Sequence, residues 1–149
     1  MTLRLRAARP TDAGSIGTIL SEFIDSTIWM PRVHTRAQDL GFAGTMIERH
    51  WCTVAEKEAR VIGFLSRESA TIHALYVHRD WRGQTIGRHL LNAAKTQSAT
   101  LNLWTFQKNA KAQKFYLREG FHEVRRTDGA GNDEGLPDIE YCWTKKEAT

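Results

Sequence analysis

The sequence predicts one mixed α/β (α+β) domain of about seven strands and four helices over residues 1–149. Strand-like and helix-like stretches alternate along the chain, and no internal repeat or low-complexity tract interrupts their order. The composition, 41% hydrophobic and 26% charged, is that of a globular protein. A chain of 149 residues is long enough to bury one hydrophobic core, so we expect a single domain.

The first third of the chain predicts one strand, two helices and the loop between them. Apolar and basic residues alternate over residues 3–8, which is the period of a strand. The Pro-Thr-Asp sequence at residues 10–12 indicates a turn, with an N-cap for a helix that continues to about Ser26. Residues 27–35 have no clear period and predict a loop of the kind that often holds substrate, and a second helix is expected at residues 36–48.

The remainder of the chain predicts six strands and two helices. Charged residues at 56–58 join the first two of these strands as a hairpin, and Gly120 is expected to close the last helix. The expected strands are residues 51–55, 60–66, 71–77, 100–106, 121–126 and 138–143, and the helices run from about 86 to 97 and from 110 to 119.

A short glycine-containing loop at residues 82–87 lies between a predicted strand and the start of a predicted helix. Such a place suits phosphate, because free backbone N–H groups and the helix dipole both point at the anion. The loop lacks the Gly-Lys-Ser/Thr of a Walker loop and the GxGxxG of dinucleotide-binding proteins. Taken alone, it is equally well a tight turn that needs glycine for its backbone geometry.

Three motifs together are more specific than the loop. They are Leu75-Tyr76-Val77, the loop Arg82-Gly83-Gln84-Thr85-Ile86-Gly87, and Asn109-x-x-Ala112-x-x-Phe115-Tyr116 followed by Gly120-Phe121. With them the sequence resembles the GNAT N-acetyltransferases, most sharply between Val61 and Phe121. The resemblance implies a GNAT-type mixed, mostly antiparallel sheet and acetyl-CoA as co-substrate.

The resemblance also assigns residues to the co-substrate. The backbone of the first motif would hydrogen-bond the pantetheine arm, and the loop amides would hold the pyrophosphate. Asn109 would bind through its side-chain amide, although it reads equally well as a helix N-cap. The implied cofactor-binding residues are Leu75, Tyr76, Val77, Arg82, Gly83, Gln84, Thr85, Ile86, Gly87, Arg88 and Asn109.

Two residues are candidates for proton transfer. By resemblance, Tyr116 protonates the departing thiolate; its alternative role is a core aromatic beside Phe115. Thr71 occupies the position at which some relatives carry an acidic base, and it cannot take that role. His73 on the same strand has a suitable reference pKa near 6.5, but a lone strand histidine is more often structural, and deprotonation through water is the favoured alternative. The amide of Val77 would hold the polarised carbonyl.

Thr85 departs from the family pattern, which usually has glycine at this position. If the residue has helical dihedral angles, threonine fits and its hydroxyl could contact phosphate. If the position requires positive φ, a β-branched residue is strained there. The backbone conformation of Thr85 therefore decides how well the loop suits phosphate.

The formal charge of +4 and the isoelectric point near 9.3 suit an anionic partner. The phosphates of the co-substrate account for this charge, with Arg82, Arg88, Lys108 and Lys111 near the binding elements, although each is equally well a solvated surface residue. No RNA- or DNA-binding signature is present, so nucleic acid is not expected as a partner.

Other classes of site are disfavoured by the same sequence. The six His and two Cys show no HExxH or CxxC spacing, so we expect no metal, and Cys52 and Cys142 are expected to be structural. No window approaches the roughly 18 apolar residues of a membrane helix, and the first residues lack the apolar stretch of a signal peptide. A cytoplasmic protein without membrane association is expected.

The resulting hypothesis is direct transfer of an acetyl group from acetyl-CoA to a primary amine, on a small molecule or a peptide, in a ternary complex. The alternative is a non-catalytic sensor or scaffold of the same fold that binds coenzyme A. A homodimer formed through the final strands is expected from related proteins. The acceptor would meet residues 27–35, with Trp29, Arg32 and His34, or residues 127–137, where Asp128, Asp133, Glu134 and the adjoining Asp138 are better explained as turn chemistry.

Overall fold

A seven-stranded sheet with four α-helices forms the protein in a computed structural model that describes residues 2–83 and 85–146. The helices are α1 (Ala13–Ser26), α2 (Arg36–Glu48), α3 (Ile86–Gln97) and α4 (Ala110–Arg118). The strands are β1 (Arg4–Ala7), β2 (Cys52–Lys57), β3 (Arg60–Glu68), β4 (Thr71–Val77), β5 (Thr100–Phe106), β6 (His122–Thr127) and β7 (Asp138–Thr144). The predicted number and order of elements are confirmed.

The predicted boundaries hold to within a few residues, with one misplaced turn. The β2–β3 hairpin turns at Glu58 and Ala59, whose φ angles are 54° and 61°, whereas the charged residues at 56–58 were expected to form it. Glu56 and Lys57 still pair with β3, so β2 ends two residues later than predicted. β3 also ends two residues later than predicted, at Glu68. A charged run is no obstacle to a strand when one face of that strand is exposed.

The turn at residues 10–12 places Asp12 at the N-cap position of α1, where the sequence predicts an N-cap. The Asp12 side chain makes no capping bond to α1 and instead accepts hydrogen bonds from the Arg9 N–H at 2.7 Å and from the Arg6 guanidinium at 2.7 and 3.0 Å. Arg6 also donates to Glu56 on β2 at 2.7 Å. The side-chain hydrogen bond from Arg6 is the main cause that lowers the pKa of Asp12. This ion-pair network joins β1, β2 and the turn before α1.

The strands lie in the order β1-β2-β3-β4-β5-β7-β6, and every neighbouring pair except β4–β5 is antiparallel. β4 and β5 are in parallel register at Thr71 and Asn102 and separate beyond that point. On the other side of β4, Ser66 pairs with Ala74 and Arg67 with Ile72, which leaves His73 as an extra residue in a β-bulge. The bulge and the separation of β4 from β5 occur at the same end of β4.

Helices cover both faces of the sheet. α1 and α2 bury residues such as Ile16 and Met46 against Phe64 of β3. On the opposite face, α3 and α4 bury residues such as Leu90 and Tyr116 against Leu65 of β3 and the β5 and β7 strands. Because adjacent strand residues point to opposite faces, both Phe64 and Leu65 are buried, and β3 lies at the centre of the core.

Candidate active site

The separation of β4 from β5 opens a cavity of about 570 Å³, which we call the central cavity. Residues 72–76 of β4 form one wall and residues 103–106 of β5 form the other, with Tyr116 of α4 at its base. Two parallel strands that diverge leave the backbone groups between them unpaired. In this cavity a ligand can therefore reach backbone groups that elsewhere in a sheet would be hydrogen-bonded to a neighbouring strand.

The backbone of β4 presents hydrogen-bonding groups to this cavity. His78 donates its N–H to the carbonyl of Ile62 at 2.7 Å, which marks those residues as a hydrogen-bonded pair. Such pairs alternate along an antiparallel ladder, so Tyr76 is the next β4 residue bonded to β3. Leu75 and Val77 consequently direct their N–H groups away from β3, towards the side from which β5 has separated.

A second cavity of about 500 Å³, the α3 cavity, adjoins the central cavity and lies beside the start of α3. The two cavities share Leu75, Tyr76 and Tyr116 in their walls. A Cβ atom at Gly87 would lie 3.4 Å from Cζ of Phe115, which is an ordinary van der Waals contact, so the packing there does not itself require glycine. The predicted loop residues described by the structure line this cavity, together with four basic side chains: Arg82, Arg88, Lys111 and Arg118. Gln84 lies outside the described residues.

Thr85 has φ of 67° and ψ of 7°, which is the left-handed region. The prediction left helical and positive φ open, and the structure decides for the strained alternative. A β-branched residue rarely adopts this conformation, which glycine adopts readily. Thr85 nevertheless receives a backbone hydrogen bond from His89 at 3.0 Å, so the first turn of α3 forms in spite of the strain.

Tyr116 is both a core aromatic and a cavity residue. It is only 8% exposed, and its ring centroid lies 5.2 Å from Phe115, 5.5 Å from Phe121 and 6.2 Å from Tyr141. Its hydroxyl makes no hydrogen bond to any residue that the structure describes, and burial raises the pKa of this phenol above its ordinary value of 10. Since Tyr116 lines the cavity and its hydroxyl has no described protein partner, this hydroxyl is available to a ligand there.

Asn109 is the N-cap of α4, which was one of its two predicted roles. Its Oδ1 accepts the N–H of Ala112 at 3.1 Å and begins α4. Asn109 also lines the central cavity. Arg88, another predicted cofactor residue, lines the α3 cavity while pairing with Glu119 at 3.2 Å. Contact of either residue with a cofactor stays a prediction.

His73 projects from the β-bulge at the outer edge of the central cavity. Its Nε2 lies 3.1 Å from Oε1 of Glu68, and its ring centroid lies 5.0 Å from that of Trp51. A histidine held between a carboxylate and an aromatic ring has a fixed orientation, which a proton acceptor requires. The sequence offered no sign that Glu68 and His73 would meet, because their contact depends on the bulge.

A third cavity of about 500 Å³, the outer cavity, lies between residues 30–42 and residues 133–134. It shares Met30, His73, Tyr76 and Phe106 with the central cavity, so the two cavities adjoin. Of the loop residues named from the sequence, His34 lines it. Trp29 packs edge-on against Phe106 with centroids 5.8 Å apart, and Arg32 is engaged by Asp25 and Asp39.

The sequence did not indicate that the side chain of Tyr76 and the carboxylate of Glu134 would line the cavities. Tyr76 was expected to act only through its backbone, yet its side chain lines all three cavities. Burial raises the pKa of Tyr76 to about 12, and the nearby charges of Glu134 and Asp39 add to the rise. Glu134 was assigned to turn chemistry because the string around it, Gly-Asn-Asp-Glu-Gly, is typical of turns.

The comparison with known families identifies this architecture. The sequence model of the Acetyltransferase (GNAT) domain matches residues 48–123, which include β4, the loop at 82–87 and α4. The chain belongs to the GNAT acetyltransferase family. Membership in this family implies acetyl-CoA as co-substrate, and it confirms the resemblance seen in the sequence motifs.

Two GNAT relatives illustrate the extent of the similarity. A protein of Mycobacterium tuberculosis named as a probable N-acetyltransferase is 29% identical over 149 residues, 84% of this chain and 83% of that protein. An uncharacterized N-acetyltransferase of Methanocaldococcus jannaschii is 34% identical over 92 residues, 51% of this chain. That match spans only 41% of the length of the Methanocaldococcus protein.

Solved structures show that the whole chain has the GNAT fold. YncA of Salmonella typhimurium, determined with acetyl-CoA, has a TM-score of 0.76 at 20% identity, covering 100% of this chain and 97% of that one. Apo YjaB of Escherichia coli has a TM-score of 0.79 at 20% identity, covering 98% and 100%. The ribosomal-protein-S18-alanine N-acetyltransferase of Escherichia coli has a TM-score of 0.75 at 20% identity, covering 99% and 97%. The predicted GNAT-type sheet is thus confirmed.

The described residues can be compared with the needs of a metal site, a membrane-spanning helix and a reactive cysteine. The described residues contain no group of three or more His, Cys, Asp or Glu placed to hold a metal ion. None of the described helices has the length and apolar character needed to cross a membrane. Both cysteines are free; Cys52 is buried, its pKa is raised by burial to about 12, and it lines none of the three cavities.

Proposed function

We propose that the chain is an acetyl-CoA-dependent N-acetyltransferase that transfers the acetyl group directly to a primary amine of a small molecule or peptide. The observation that carries the proposal is Tyr116, a buried residue whose hydroxyl has no described hydrogen-bond partner and which lines two adjoining cavities. One cavity leads to basic side chains and the other to the outer cavity. This arrangement suits two substrates that meet from opposite sides.

The residues present fit coenzyme A. Four basic side chains and the start of α3 line the α3 cavity, and both features favour phosphate groups. The outward-facing backbone of Leu75 and Val77 can hydrogen-bond an extended amide-containing chain, as a sheet edge does in strand addition. These groups would therefore hold the phosphates and the pantetheine arm.

Acetyl-CoA, when bound, supplies a thioester carbonyl carbon for attack and a thiolate as leaving group. The Leu75 or Val77 amide donates to the carbonyl oxygen while the new C–N bond forms and the C–S bond breaks. Tyr116 donates its phenolic proton to the sulfur that leaves with the bonding electron pair. The raised pKa keeps Tyr116 protonated at neutral pH, and the same burial raises the pKa of a thiol beside it.

An ammonium substrate loses two protons in all. The first leaves before attack and frees the nitrogen lone pair; the second leaves the nitrogen as the amide forms and replaces the proton that Tyr116 gives to the sulfur, so one proton is released overall. His73 is the side chain best placed to accept the first proton, because it lies where the central and outer cavities meet and Glu68, 3.1 Å from its Nε2, orients the ring. Water in the outer cavity is the alternative acceptor. No covalent acyl-enzyme is required by this route, since the amine attacks the thioester itself.

The test is release of coenzyme A thiol from acetyl-CoA across a panel of polyamines, aminoglycosides, amino acids and N-terminal peptides. We expect turnover with one class, and a Tyr116→Phe variant that binds acetyl-CoA normally while kcat falls by about 10²-fold or more. Tyr141→Phe is the matched control, because Tyr141 packs against Tyr116 but lines none of the three cavities. Binding of acetyl-CoA without turnover of any amine would instead support the non-catalytic sensor.

A further inference from the structure

Charged side chains in the three cavities are sorted by sign. Among the described residues, the α3 cavity is lined by four Arg or Lys side chains and by no Asp or Glu. The outer cavity is lined by Asp39, Asp133 and Glu134 and by no described Arg or Lys, and the central cavity adds Asp138. The chain as a whole carries +4, so a negative cavity is a local feature against the overall charge.

Most of these carboxylates already have partners. Asp39 accepts hydrogen bonds from Ser21 at 2.5 Å and Arg32 at 2.9 Å, and Asp133 lies 3.3 Å from His34. The side chain of Asp138 accepts from Thr127 and Asn132. These contacts explain why the surrounding loops fold as they do. They leave one carboxylate in the lining to be explained.

Glu134 is that carboxylate. It is half-buried, and it makes no hydrogen bond or ion pair with any residue in the described part of the chain. Glu134 and Tyr76 line the same cavity, and the charge of Glu134 contributes to the raised pKa of Tyr76. A half-buried carboxylate without a cation loses hydration with no compensating partner, which favours a cationic ligand at this place.

A second observation points to a ligand in the adjoining central cavity. Tyr116 is more than nine-tenths buried, and its hydroxyl lacks a described partner where the residue lines that cavity. The central and outer cavities adjoin at Tyr76 and Phe106, which line both. Apolar side chains, Met30, Val33 and Phe42, line the outer cavity beside Glu134 and suit a methylene chain.

We propose that the outer cavity selects a small aliphatic di- or polyamine, with the Glu134 carboxylate pairing with an ammonium group remote from the amine that reacts. This inference rests on the proposed acetyl transfer for the position of the reacting amine. The methylene chain would lie along the apolar wall, and the second ammonium would take the place of the cation that Glu134 lacks.

The experiment compares three six-carbon amines that differ only at the far end: 1,6-diaminohexane, 6-amino-1-hexanol and 6-aminohexanoate. Their dissociation constants are measured by calorimetry on the protein saturated with coenzyme A, which allows no turnover. We expect the diamine to bind about fivefold more tightly than the amino alcohol, and the amino acid most weakly, because the charge pair is partly screened by water.

Glu134→Gln should bring the diamine and the amino alcohol within about twofold of one another. Glu58→Gln is the matched control, because it makes the same change in charge at an exposed residue of the β2–β3 turn, outside all three cavities. It should leave the preference intact. Unchanged coenzyme A affinity in both variants verifies that they are folded.

Equal binding of the diamine and the amino alcohol, or a preference that survives in Glu134→Gln, would overturn this inference. The proposed function is judged separately by acetyl transfer from acetyl-CoA to the same amines. A diamine preference that depends on Glu134, without any transfer, would overturn the proposed function and support the cation site. Transfer without such a preference would support the enzyme and overturn the cation site.

Discussion

Arg82 donates a hydrogen bond from its Nε to the backbone carbonyl of Val77, 3.1 Å away. The bond joins the loop before α3 to the last residue of β4, and the guanidinium carbon also lies 6.0 Å from the ring centroid of Phe23. Val77 is one of the residues whose backbone faces away from β3. Arg82 therefore holds the basic loop in place beside the strand that is proposed to bind pantetheine.

Replacing Arg82 with Met keeps the apolar stem and removes the guanidinium. We expect acetyl-CoA to bind about tenfold more weakly, because a hydrogen bond from a charged group and one positive charge near the phosphates are both lost. Calorimetric titration measures the change. Arg60→Met, at the exposed start of β3, removes the same charge away from the cavities and should leave affinity unchanged. Equal losses in the two variants would contradict a specific role for Arg82.

Thr85→Gly should stabilise the protein by about 0.5–1 kcal/mol, because the relief of left-handed strain exceeds the extra flexibility of glycine in the unfolded chain. Thr85→Asn, which tolerates this conformation, should also stabilise it. Urea unfolding measures both. Thr96→Gly within α3 is the control and should destabilise by up to about 1 kcal/mol. A loss of stability in Thr85→Gly would show that the threonine side chain contributes more than its strain costs.

We expect Tyr116 to make the same contribution to kcat from pH 7 to about pH 10. An ordinary tyrosine is half ionised near pH 10 and could no longer donate its proton fully, whereas burial raises the pKa of Tyr116 above that value. The measurement is the ratio of kcat for the natural chain to kcat for Tyr116→Phe between pH 7 and about pH 10. A constant ratio is expected. A ratio that falls above about pH 9 would indicate a phenol with an ordinary or lowered pKa.

Asp12→Asn should destabilise the protein at pH 7 by about 2 kcal/mol, because it removes charged hydrogen bonds to Arg6 and Arg9. The folded pKa of Asp12 is lowered, so its stabilising contribution is present above the unfolded pKa of 3.8 and is lost as pH falls through the folded value. Urea unfolding at pH 7 and pH 3 should therefore show a difference between the two chains that shrinks in acid. Asp25→Asn, in a more exposed ion pair, should change stability less.

Much of this structure follows from local patterns in the sequence. The strands at Thr71–Val77 and Thr100–Phe106 have their predicted bounds, because β-branched and aromatic residues are concentrated in them. The helix at Arg36–Glu48 also has its predicted bounds, although its apolar residues are not confined to one face. Tyr116 and Asn109 were identified together because both belong to one short motif on α4. Where the information lies within a few residues, a sequence is sufficient to find it.

The remaining features depend on tertiary contacts. Asp12 fits an N-cap pattern, but Arg6 from β1 draws its carboxylate away from α1. The pairing of Glu68 with His73 requires a bulge that has no clear local signal. Glu134 lies in a sequence typical of turns, and it lines the same cavity as Tyr76 only because the fold brings two distant segments together. Such relationships are set by packing between segments, which local propensity does not encode.

The meeting of β4 and β5 also has a mechanical consequence. With strand register described only at Thr71 and Asn102, the sheet has a seam between β1–β4 and β5–β7 that is held mainly by side chains of α3 and α4. We expect local opening of the domain to begin at this seam. Backbone amides of β4 should then exchange with solvent sooner than those of β3, which lies at the centre of the core. A molecule that hydrogen-bonds along the seam would join the two halves of the sheet and slow that exchange.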